Sequence, residues 1–142
     1  MTEREAREAI ADDDRLLRRI RDQPEKMWTK KGGVLRPSSA ALKPHQADGG
    51  LSVDVRRLLA DPRSPGSVLD DDRDDGLVEF EARRPRDAGL DVEHAPLEGR
   101  YSHANIVGFE RFDRAGQKRV RRELAKQAVW VQTPASAAAG AG

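Results

Sequence analysis

Two short polar groups carry the residue types that chemistry needs: Arg36, Ser38 and Ser39 around Pro37, and Ser102 beside His103 far downstream. A serine hydroxyl against an imidazole pairs a nucleophile with its general base, provided that a third group orients the ring. An arginine beside two serines in a loop offers a planar fork and two hydroxyls to a phosphate or carboxylate. No Gly-x-Ser-x-Gly elbow accompanies these residues. Serine and histidine are also ordinary loop residues, so Pro37-Ser38-Ser39 reads equally as a turn and His103 as the end of a strand. Arg36, Ser38, Ser39 and His103 are therefore ligand-binding candidates, with no catalytic role assigned.

Metal chemistry is poorly supported. The chain has no cysteine, which excludes disulfides, thiolate catalysis and cysteine-ligated metals. His45, His94 and His103 lack the spacing of a zinc site. Asp70, Asp72, Asp74 and Glu81 match positions 1, 3, 5 and 12 of a calcium loop, but Asp75 stands at the sixth position, where the turn needs glycine. The segment reads as a solvated acidic turn, and neither a metal nor a cofactor is expected.

Charge is unevenly spread. The 142 residues hold 26 Lys and Arg against 25 Asp and Glu. Residues 1–60 sum to +3, residues 61–98 to −7 and residues 99–142 to +5. Such a dipolar chain suits its own kind, a charged partner protein or a polyanion. Only six of the basic residues are lysines, and an arginine excess suits forked pairing with oxyanions. Nothing approaches the roughly 18 apolar residues of a membrane span, and no basic-then-apolar leader opens the chain. A cytosolic protein without a membrane contact is the expectation.

These residues need elements to hold them. Residues 1–22 read as a loosely attached helical segment. Thr2 and Glu5 fit a capping box, and Leu16, Leu17 and Ile20 share a helical face; a short strand is the alternative there. Residues 23–132 read as one small α+β domain, with 23–50 loop-rich around Trp28. Ser52 caps a helix over 53–60, whose face is Val55, Leu58 and Leu59. Residues 77–82 alternate as a half-buried strand, and 90–93 and 104–109 are two more. Asp113 caps a helix over 114–127 that buries Val120 and Leu124 and presents Arg114, Lys118, Arg122 and Lys126 in a row. Val129-Trp130-Val131 closes the domain, and the Ala/Gly tail 133–142 reads as disordered. The expected fold is thus a short mixed or antiparallel sheet covered by helices 53–60 and 114–127.

Leu17-Arg18-Arg19-Ile20, Trp28, Arg36-Pro37-Ser38-Ser39-Ala40, Leu51-Ser52-Val53-Asp54 and His103-Ala104 before Ile106 and Gly108 follow one another in that order. The order resembles that of a group of small bacterial proteins with no established activity, over roughly residues 15–132. The resemblance implies no substrate. Three functional readings stand at this level. The first is a non-catalytic accessory module that binds a protein partner, or a second copy, through segregated charged faces. The second is an enzyme or anionic-ligand binder using Arg36, Ser38 and His103. The third is nucleic-acid binding through Arg114, Lys118, Arg122 and Lys126.

Overall fold

Leu16, Leu17 and Ile20, which share a helical face in the sequence, lie instead in a strand at the centre of a sheet. A central strand is apolar on both faces, so its sequence loses the alternation that marks a half-buried one. In chain order the computed structural model, which describes residues 7–45, 50–69 and 73–139, has β1 (Arg15–Ile20), β2 (Trp28–Lys31), β3 (Val34–Pro37), β4 (Leu51–Val55) and β5 (Gly76–Glu81). Then follow α1 (Arg83–Asp87), β6 (Asp91–His94), β7 (His103–Val107), α2 (Arg114–Gln127), β8 (Val129–Gln132) and α3 (Ala135–Ala139). Six strands form one sheet in the order β6-β7-β4-β1-β5-β8, with every neighbouring pair antiparallel. The remaining two make a hairpin, β2-β3, turned by Gly32 and Gly33, both at positive φ.

The molecule is a small α+β domain with an antiparallel sheet, and of the helices expected within the described residues only that over 114–127 is present. The helix read over 53–60 is β4 followed by a short 3-10 turn, Arg56–Leu58. Leu51, Val53 and Val55 alternate with Ser52 and Asp54, and that strand period wins because the apolar members enter the core. The helical segment expected over 1–22 is likewise replaced by β1 over its last part, and Thr2 and Glu5 lie outside the described residues. The strands expected over 77–82, 90–93 and 104–109 are β5, β6 and β7. Helix 114–127 is α2, and the Asp113 side chain accepts from the Gly116 N–H at 2.7 Å.

Val120 and Leu124 of α2 share a core with Leu16, Leu51, Val53, Val55, Phe80 and Ile106. A separate cluster, Leu17, Leu69 and Leu77, is covered by Leu59, Val68 and Val131. The segment expected as a disordered tail contains α3, which buries Ala137 beside Ile20, Trp28 and Val78. Asp22 fixes it by accepting from both the N–H (3.0 Å) and the hydroxyl (2.7 Å) of Ser136. No helix among the described residues is long and apolar enough to cross a membrane.

Gly76 opens β5 where the C-terminal segment crosses it. A Cβ there would stand 2.7 Å from a ring carbon of Trp130 and 2.9 Å from the Pro134 ring, and neither ring is a flexible chain end. Gly76→Ala should therefore lower the free energy of unfolding by about 1–3 kcal/mol, the usual cost of overpacking. Urea denaturation followed by tryptophan fluorescence measures this, and an unchanged midpoint would show that the crossing yields freely.

Candidate functional site

The sheet forks between β1 and β4. The two strands share only the pairs Leu16↔Val55 and Leu17↔Asp54. Beyond Leu17, β1 stays with β5 as far as Ile20↔Gly76, whereas β4 follows β7 as far as Leu51↔Ile106. The Arg18 side chain enters the gap. Its Nε donates to the Ala41 carbonyl at 3.0 Å and its Nη1 to the Ser52 carbonyl at 2.9 Å. A guanidinium has five N–H donors, so three remain without a protein acceptor among the described residues.

A cleft of about 230 Å³ opens at this fork, lined by Arg18, Arg19, Arg21, Arg100, Ser52 and Asp54 among others. Asp54 is 3% exposed and fully engaged. It accepts from Arg100 Nε at 2.9 Å, Arg100 Nη2 at 2.5 Å and the Ser102 hydroxyl at 2.9 Å. Arg19 approaches Asp75 at 3.9 Å and donates to the Val68 carbonyl at 3.3 Å. Neither Arg18 nor Arg21 has a carboxylate partner among the described residues. Burial, and then the charges of Arg21, Arg19 and Arg100, push the Arg18 guanidinium down to about 10. It is still charged at neutral pH, so with Arg21 it gives the cleft two cationic groups that no carboxylate among the described residues pairs.

Ser52 projects from β4 beside this cleft and meets His103 of β7. Its hydroxyl lies 2.8 Å from His103 Nε2, and His103 Nδ1 lies 2.7 Å from the Ala95 carbonyl. A carbonyl only accepts, so in the neutral ring the proton sits on Nδ1 and Nε2 accepts from Ser52. His94 has the opposite arrangement: its Nδ1 accepts from the Glu8 N–H at 2.9 Å and its Nε2 donates to the Tyr101 carbonyl at 2.7 Å. The Tyr101 hydroxyl in turn donates to the Glu8 carboxylate. That bond, and then the one from Arg57, hold the Glu8 carboxyl below its ordinary range. This network fastens residues 8–14 to the domain, with Arg57 also donating to Asp14 at 2.9 Å.

The residues singled out from sequence are distributed over several places. Arg36 is exposed on β3, the Ser38 hydroxyl donates to the Lys26 carbonyl at 2.7 Å, and Ser39 opens the 3-10 turn Ser39–Leu42. None of the three lines the cleft, although Ala40 and Ala41 of that turn do. His103 is buried and reaches the cleft only through Ser52. Arg114, Lys118, Arg122 and Lys126 are all exposed along α2, without ion pairs among the described residues. Asp70, Asp71 and Asp72 lie outside the described residues, and the Asp75 carboxylate accepts from the Asp22 N–H at 3.0 Å.

Sequence reasoning missed Arg18, Arg21, Arg100, Ser52 and Asp54. A strand period through Leu51-Ser52-Val53-Asp54-Val55 places Ser52 and Asp54 together on the face opposite the core, and that signal was available. The fork that admits Arg18 has no local signature.

Removing the fork of Arg100 strands a buried carboxylate. Arg100→Met should cost about 1–3 kcal/mol of stability at neutral pH, and adding Asp54→Asn to it should recover part of the loss. Chemical denaturation of both variants decides this, and equal stability of wild type and Arg100→Met would count against the pairing.

Compared with protein-family models, curated proteins and solved structures, the chain matches none.

Proposed function

We propose that this protein binds a small oxyanion, a phosphate or phosphoryl group, in the cleft at the fork of its sheet. The observation that carries the reading is Arg18. Its guanidinium is held in place by two backbone carbonyls, faces a cleft shared with Arg19, Arg21 and Arg100, and has no carboxylate partner among the described residues. A pre-fixed planar fork loses little freedom on forming two parallel charge-assisted bonds to a phosphate. An anion would also relieve the mutual repulsion of the arginines. Arg36, Ser38 and His103 are replaced in this reading by Arg18, Arg21, Arg100 and Ser52.

The partner-protein reading has less support. Some acids of the middle segment are taken up inside the chain: Glu79 by Arg56 at 2.8 Å and Arg15 at 3.3 Å, Asp91 by Arg111 at 2.5 Å, Glu81 by Arg83 at 3.4 Å. Contact of α2 with a polyanion is a second reading, favoured by its exposed, unpaired basic row.

Titrating inorganic phosphate at constant ionic strength should raise the melting temperature by several degrees. Saturation at a hundred times Kd corresponds to about 2.7 kcal/mol. Arg21→Ala, an exposed position, should weaken binding about tenfold, and Arg18→Gln should abolish it. A phosphate effect no larger than that of chloride would end the anion reading. For the second reading, Lys118→Glu with Arg122→Glu should release the protein from heparin at lower salt, and unchanged retention would exclude that face.

A further inference from the structure

We infer that Ser52 is a nucleophile activated by His103, and that the cleft hydrolyses phosphomonoesters through a phosphoserine. The inference rests on the anion reading and adds a reaction to it. Three features of one place support it. The Ser52 hydroxyl points at an imidazole nitrogen 2.8 Å away that is free to take its proton, because the Ala95 carbonyl at 2.7 Å holds the ring proton on Nδ1. The two side chains stand on adjacent strands of a hydrogen-bonded ladder, β4 and β7, with Val53↔Ala104 and Asp54↔His103 in register, so their relation is rigid. The same serine lines the cleft whose walls carry Arg18, Arg21 and Arg100, and Arg18 is bonded to the serine's own carbonyl.

The leaving group has a place too. A second lobe of about 650 Å³ shares Arg19, Asp54, Val68 and Arg100 with the first, and its far wall includes Leu58, Leu59 and Ala60. A phosphoryl group on the arginines would leave an apolar or aromatic alcohol facing these aliphatic side chains. The substrate class is therefore a phosphomonoester of an apolar alcohol.

The steps balance. The Ser52 Oγ–P bond forms as the bond from phosphorus to the alcohol oxygen breaks. The serine proton passes to His103 Nε2. The departing oxygen, in line on the far side of phosphorus, takes its proton from solvent water. A second water attacks from the vacated side and releases its proton to solvent, the Oγ–P bond breaks, His103 returns its proton to the serine, and inorganic phosphate leaves. Charge building on the phosphoryl oxygens meets the arginine donors, the arrangement that phosphoryl transfer requires.

The test uses the whole chain and p-nitrophenyl phosphate. Acid quenching of the wild-type reaction should leave one phosphate on the peptide containing Ser52, mapped by mass spectrometry, with release of p-nitrophenol. His103→Gln should slow release by about a hundredfold or more, and Ser52→Ala should abolish the adduct. Wild-type protein that is stabilised by phosphate yet gives neither adduct nor p-nitrophenol overturns the nucleophile and leaves the anion site standing. Release that persists undiminished in Ser52→Ala overturns it as well. If phosphate fails to stabilise the wild-type chain, the underlying anion reading falls with it. The adduct is mapped on the wild-type protein, so the result does not depend on the variants folding.

Discussion

A single arginine inserted where two strands part company determines the character of this molecule. Between β1 and β4 the ladder stops after two pairs, and Arg18 bridges the opening by bonding Ala41 on one side and Ser52 on the other. An aliphatic residue there would leave two carbonyls facing a gap. Only a long side chain with several donors satisfies both and still presents hydrogen-bonding capacity outward. The fork is thus closed structurally and left open electrostatically, and Arg19, Arg21 and Arg100 line the same cleft.

Much of the second half of the chain was legible in the sequence. β5, β6, β7 and α2 were found by alternation, by helical spacing and by the Asp113 cap, all of which are local signals. In β1 the spacing of Leu16, Leu17 and Ile20 fits a helical face, with a short strand as the alternative, because adjacent leucines break the strand period. The structure buries the two on opposite faces, in separate clusters. β4 failed for a different reason. Leu58 and Leu59 extend the apolar run beyond Val55 and complete a helical face, yet both residues are only half-buried packing on the sheet. The short α3 could not be read from an alanine-rich tail, because what holds it is Asp22, at the other end of the sequence.

The site was less legible than the fold. His103 does open a strand, as its place in the sequence suggests, but the serine that it meets is Ser52 across the ladder rather than the adjacent Ser102. Ser102 donates to Asp54 instead. Register, which no single segment encodes, decided which hydroxyl met which ring. The charge asymmetry along the chain is real in sequence, yet in the fold two acids of the middle segment, Glu79 and Asp91, pair with arginines from both flanks. Linear charge blocks say little about surface fields once an antiparallel sheet has interleaved them.

The strand order carries a kinetic consequence. The innermost strand, β1, precedes all the others in the chain, and both of its neighbours arrive only after long intervening stretches. Its contacts are therefore of high sequence separation, and such topologies have high contact order and fold slowly. While the polypeptide is being synthesised, β1 presents two unsatisfied edges and an apolar surface with nothing to pair against. Arg15, Arg18 and Arg19 within that strand give it a charge that disfavours self-association at that stage, the gatekeeper role that basic residues serve in aggregation-prone segments.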